Sequence, residues 1–133
     1  MKKITFDTGL EQFKLPGGVL RFNPADPNLY IRFMEAEQRL LCLEETLRTD
    51  ADAMEEKETG KVILTLMQKA DTELKNILSW VFGEENDFHK LLGGVNLLAE
   101  ASNGRRVVEN LFLALEPVLE EGICRCAAGQ TQC

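Results

Sequence analysis

Apolar and polar residues change rhythm once along this chain, near residue 25. Before that point the runs are short and extended: Ile4-Thr5-Phe6, Gln12-Phe13-Lys14-Leu15 and Val19-Leu20-Arg21-Phe22, the last with a period of two. Pro16-Gly17-Gly18 between the last two runs predicts a hairpin turn, proline presetting φ and glycine tolerating positive φ. Asn23-Pro24-Ala25-Asp26-Pro27 ends the extended part. There Pro24 excludes Asn23 from the helical region, Asp26 can cap, and Pro27 suits a first helical position, where no amide partner is needed.

From Asn28 the period is helical. Leu29, Phe33, Ala36, Leu40, Leu43 and Leu47 form one seam, widened on a flank by Tyr30, Met34 and Leu41. Ile63, Met67, Ala70, Leu74, Ile77 and Val81 repeat the same 4, 3, 4, 3, 4 spacing. Two matched stripes joined by a polar link predict an antiparallel helical hairpin, with Ala36 and Ala70 at equivalent places in their stripes as candidate points of close approach. The link, Thr49 to Gly60, reads equally as a helical extension or as an acidic loop. Gly83 should end the second helix, and Trp80, Phe82 and Phe88 cluster around it. Asn86 or Asp87 can cap a short helix through Leu92, stopped by Gly93-Gly94. A last helix is expected from near Ser102-Asn103-Gly104, kinked by Pro117 and ended by Gly122. Residues 95 to 101 have no decisive pattern.

The fold class expected is therefore mainly α with a small N-terminal antiparallel β-hairpin, an α+β arrangement with a central helical hairpin and C-terminal helices. One domain covers residues 1–133, divided into a β-hairpin region (1–25), a helical region (26–121) and a flexible cysteine-containing tail (122–133). The length supports one real core, and 44% hydrophobic content argues against disorder. No apolar run is long enough for a membrane span and no secretory signal opens the chain, so a cytoplasmic protein with no membrane partner is expected.

The net charge of −7 argues against nucleic acid as a partner. Its distribution is uneven: residues 26–60 carry −6, the first 25 carry +2, and the remainder carries −3.

Candidate catalytic chemistry is sparse. His89 is the only histidine, which excludes a two-histidine metal site within one chain; it could in principle serve acid/base catalysis, but a polar residue on a short helix between Asp87 and Lys90 is the simpler reading. The pairs Glu44-Glu45, Glu55-Glu56 and Glu84-Glu85 lie in solvated contexts rather than the buried cleft that would raise a carboxyl pKa. Gly17-Gly18 and Gly93-Gly94 lack the rest of a phosphate-binding pattern. Cys124, Cys126 and Cys133 with distant Cys42 do not match paired zinc-ligand spacing, so free thiols are expected. These readings give no catalytic, metal or cofactor site. They favour a binding or assembly protein over an enzyme, with the sheet edge and the amphipathic helices as its surfaces.

Two stretches carry a family resemblance. The run from Gly17 through Arg21-Phe22-Asn23-Pro24 and Asp26-Pro27 to the aromatic pair Tyr30 and Phe33 resembles the opening of small tail assembly chaperones of long-tailed phages and prophages of Gram-positive bacteria. Downstream, Val81-Phe82-Gly83-Glu84, Phe88 to Asn96 with its Gly93-Gly94, and Glu109 to Val118 with its Asn110, Phe112, Ala114 and Pro117 are similar to that family's second half. Asn96-Leu97 stands where the pattern usually has Asn-Pro, Leu91-Leu92 where an aromatic often precedes the glycines, and the tail from Cys124 has no counterpart. The resemblance implies a factor that binds and coats the tape-measure protein, helps recruit tail-tube subunits, forms homo-oligomers, is often also made as a longer frameshifted product, and leaves before the virion is complete. Tyr30, Phe33, Met34, Leu41, Trp80, Phe82 and Phe88 are the candidate partner-binding residues. The alternative is an acidic helical adaptor or inhibitor docking through Asp50, Asp52, Glu55, Glu56 and Glu58 on a basic partner.

Overall fold

The computed structural model describes residues 1–52 and 59–127. Two antiparallel strands, β1 (Glu11–Leu15) and β2 (Gly18–Phe22), precede helices α1 (Pro27–Asp52), α2 (Thr59–Phe82), α3 (Phe88–Leu91) and α4 (Val107–Ala127). The mainly α, α+β class expected from the sequence is the class observed.

The strands pair in one register, with Phe13 opposite Leu20 and Leu15 opposite Gly18. Ile4-Thr5-Phe6 does not form a strand; these residues are exposed, and a strand exists only where another backbone pairs with it. The tight turn follows the expectation, but its glycines do so for a different reason. Neither Gly17 nor Gly18 has positive φ; Gly17 donates its amide to the Leu91 carbonyl at 2.9 Å, and a Cβ there would collide with the Lys90 carbonyl. The turn is packed against the end of α3.

At the strand-to-helix junction, Asn23 Oδ1 accepts the Ala25 amide at 2.8 Å and Asp26 Oδ1 accepts the Asn28 amide at 3.0 Å, so Asp26 caps α1 ahead of Pro27. Gly83, with φ of 112°, stops α2 where the sequence placed the stop. Asp87 caps α3 through its bond from the His89 amide at 3.0 Å.

Asn86 has another task. Buried at 3% exposure, it accepts the Arg21 amide at 2.9 Å and donates to the carbonyls of Arg21 and Phe82 at 2.7 and 3.0 Å. Its amide thus stands in for a neighbouring strand and closes the outer edge of β2, leaving the outer edge of β1 as the open one.

The core lies where the sheet meets the proximal halves of α1 and α2. Phe82 is its hub, with ring centroids 4.9 Å from Phe22, 5.4 Å from Phe33 and 5.4 Å from Phe88, while Phe13 stacks on Phe22 at 5.0 Å. Each such pair adds roughly 0.5–1.5 kcal/mol beyond the area it buries.

The two predicted seams do face each other. Arg32 Nε donates to the Val81 carbonyl at 2.7 Å beside the Phe33–Phe82 contact, which fixes the antiparallel register. In that register the two buried alanines are not opposite one another; they lie at levels about eight residues, or ~12 Å, apart. Burial also fades toward the hairpin tip, where Leu40 and Leu43 are half-buried and Ile63, expected in the seam, is exposed. Two helices alone cannot enclose a side chain from every side, and at this level the turns of residues 95–101 reach only α2, through Met67 and Asp71.

Residues 95–101 form turns that lean on α2. The Leu97 amide donates to Asp71 Oδ1 at 2.8 Å, and Asp71 Oδ2 pairs with Lys75 Nζ at 2.9 Å. Lys75 is 3% exposed; its ion pair with Asp71 lies within α2, and the Leu97 amide bond to the same aspartate ties the turn to the helix.

The last helix begins later and ends later than expected. A turn at Gly104, whose φ is 81°, and a bridge between Glu100 and Arg106 occupy the anticipated start. Gly122 does not stop α4: it is buried inside the helix where a Cβ would meet the Pro24 carbonyl, allowing α4 to cross the strand-to-helix junction at close range. The cysteine segment therefore begins as helix through residue 127, and the Cys133 expectation lies outside the described residues.

Candidate functional site

The seven residues singled out from the sequence divide by burial. Phe88 and Phe82 are core residues, and Phe33 is half-buried against Phe82, so these three build the body of the domain. Tyr30 is also a structural residue. Its hydroxyl donates to the Pro24 carbonyl at 2.5 Å and lies 3.1 Å from the Leu119 carbonyl, locking the α1 start to α4. Burial, followed by the nearby Cys126 sulfur, pushes its pKa above the ordinary tyrosine value, with Arg125 opposing. Trp80 is half-buried and carries the Arg39 guanidinium 5.8 Å from its ring centroid.

Met34 and Leu41 remain as open surface, 71% and 54% exposed. With Ile31, also exposed, they lie within about 80° of arc on α1 and span ~15 Å along it. The helix thus has a second apolar stripe beside the one that packs on α2, a signal visible in the sequence only as a widening of the seam. Ile63 and Leu64 on α2 are exposed near the hairpin tip.

A second apolar surface was not singled out from the sequence. The outward side of α4 forms a shallow groove of about 470 Å³ whose floor is Phe112, Leu113, Leu119 and Ile123. Glu109, Glu116 and Glu120 line it along the middle of this side of the helix, between Phe112, Leu119 and Ile123 on one flank and Leu113 on the other, and Arg105 lines it too. In the sequence these positions merge with the core-facing side, because both stripes share one 21-residue helix.

Another cleft, about 480 Å³, lies where Thr8 and Leu10 approach α1 and the α2–α3 turn. Arg21 and Arg32 face Glu84 and Glu85 across it, so opposite charges share the walls, and the Arg32 Nε is already committed to the Val81 carbonyl. Such a cleft has no single-sign field to select a charged ligand.

His89 Nε2 lies 2.8 Å from Asn76 Oδ1 at the surface, without a carboxylate partner among the described residues. Among the described residues no three or more His, Cys, Asp or Glu side chains converge on a point that could hold a metal. Cys42 and Cys124 are exposed, and Cys126 Sγ donates to the Ala25 carbonyl at 3.0 Å. No described helix is long and apolar enough to cross a membrane. Glu55, Glu56 and Glu58 of the expected acidic docking loop lie outside the described residues, as do the side chains of Asp50 and Asp52. No protein-family model, curated protein or solved structure matches the chain.

Proposed function

We propose that this protein is a phage tail assembly chaperone that binds and coats the tape-measure protein, keeps it soluble, and helps bring tail-tube subunits to it. The observation that carries the reading is the exposed stripe Ile31, Met34 and Leu41 on a long helix whose opposite flank is already satisfied by α2. Apolar side chains repeated along one side of a helix match the side of a second helix, and a long helical client offers that pattern many times over. A short stripe per copy gives a modest contact, and many copies along one client supply the affinity while leaving each copy displaceable. The strand-to-helix run and the glycine stops of the resemblance coincide with residues that shape the domain, Asn23 to Pro27, Gly83 and Gly93-Gly94, which supports the same reading. The protein acts by binding rather than catalysis, in the host cytoplasm, as a homo-oligomer with no nucleic-acid or membrane partner, and is absent from the finished virion.

The test is co-expression with the long helix-rich product encoded downstream in the same tail module. The intact chain should move that product into the soluble fraction, and Met34→Glu with Leu41→Glu should abolish the effect while circular dichroism and thermal unfolding stay unchanged, because both side chains are exposed. No gain in client solubility with the intact chain, or undiminished activity of the double variant, overturns the proposal.

A further inference from the structure

Residues 1–6 form an arm that makes no hydrogen bond or ion pair among the described residues. It is rooted by residues 7–9, where Asp7 Oδ1 accepts the Gly9 amide at 2.8 Å and Asn23 Nδ2 donates to the Thr8 carbonyl at 3.1 Å. Ile4 and Phe6 are 84% and 78% exposed, and Met1 is fully exposed. In an extended chain Ile4 and Phe6 point to the same side, and each forfeits roughly 1.5–3 kcal/mol while it stays in water. Lys2 and Lys3 place two positive charges beside these apolar side chains.

The α4 groove is the complement of this arm in both chemistry and size. Its lining combines four apolar side chains with three glutamates and one arginine. From Glu109 to Ile123 it runs ~21 Å along the helix, and six extended residues span ~17–20 Å. Pairing with the same groove of another copy would set glutamates against glutamates, whereas the arm brings the opposite sign. The arm's root lies beside Asn23, next to the Pro24 carbonyl that meets Gly122 and near the Glu11–Arg125 pair, so it sits against the side of α4 about 120–180° around the helix from Glu109, Glu116 and Glu120, and the groove opens on the far side of α4 from the root.

We infer that the arm of one copy docks in the α4 groove of a second copy, Ile4 and Phe6 on its floor and Lys2 and Lys3 against Glu116 and Glu120. The contact is head-to-tail: each copy offers one arm and one groove, so it builds chains or a ring rather than stopping at a symmetric pair. It uses neither Met34 nor Leu41 and stands independently of the client proposed above.

Sedimentation velocity and light scattering across a concentration series test it. The intact chain should self-associate, and two variants, one lacking residues 2–6 and one carrying Glu116→Lys with Glu120→Lys, should each run as a monomer with unchanged circular dichroism. Mixed, the two should form a one-to-one complex, because the truncated chain keeps a groove and the charge-reversed chain keeps an arm. Lys2→Glu and Lys3→Glu added to the charge-reversed chain should restore self-association. A monomeric intact chain at every concentration, self-association that survives loss of the arm, or a mixture that stays as two monomers overturns the inference.

Discussion

Replacing Asn86 by alanine is the most incisive test of how this small domain holds its sheet. Its side chain makes three hydrogen bonds from a buried position: one accepted from the Arg21 amide, and one donated to each of the Arg21 and Phe82 carbonyls. Asn86→Ala deletes all three and leaves those backbone groups to find water or go unpaired. At about 0.5–1.5 kcal/mol for each bond lost, with a further penalty for any group left dry, the cost should be about 2–4 kcal/mol. Asn86→Asp separates this account from loss of volume. The carboxylate can still accept from the Arg21 amide, but its other oxygen faces two carbonyl oxygens where the amide had donated, so it should cost at least as much as alanine at neutral pH. Urea unfolding read by circular dichroism measures both, with linear extrapolation to water. A value for Asn86→Ala within about 0.5 kcal/mol of the parent, the range of an ordinary surface change, would refute the reasoning. So would an aspartate variant clearly more stable than the alanine one.

Two further predictions follow from the buried polar contacts. Asp71→Ala strands the Lys75 ammonium and frees the Leu97 amide, so it should cost about 3–5 kcal/mol, whereas Asp71→Leu with Lys75→Met, which removes both charges, should lose much less; equal losses in urea titrations would argue against the ion pair as the cause. For Tyr30, a pKa raised in the folded state means that its contribution is fully present below the unfolded value near 10 and disappears as pH rises through the folded value. Tyr30→Phe should therefore be about 0.5–1.5 kcal/mol less stable than the parent at pH 8, and the gap should narrow as pH rises above 10; a gap that stays constant in urea unfolding above pH 10 would exclude the linkage.

The start of α1, the end of α2 and the start of α3 were legible because each depends on residues a few positions apart. Asp26 and Pro27 set where α1 begins, Gly83 takes the positive φ that ends α2, and Asp87 reaches the His89 amide two residues on. The paired stripes likewise announced a helical hairpin, since a seam repeated in two segments has to be buried against something. The partner-binding candidates were less legible. Composition and spacing cannot distinguish Phe88, which is wholly buried, from Met34, which is not, and the apolar groove on α4 is hidden within a helix that also packs inward.

By itself, then, the sequence determined the class of fold, the order of its elements and most of their ends, because capping, backbone conformation and periodicity act over one or two turns of chain. Only the tertiary structure decided what Asn86, Lys75, Gly17 and Gly122 are for. Asn86 acts on Arg21, Gly17 on the end of α3, Gly122 on the Pro24 carbonyl, and Lys75 on an aspartate that also holds the turn at Leu97. The same physics explains which apolar residues stay at the surface: a stripe is satisfied only where a second element arrives to cover it, and that arrival is set by the packing of the whole chain.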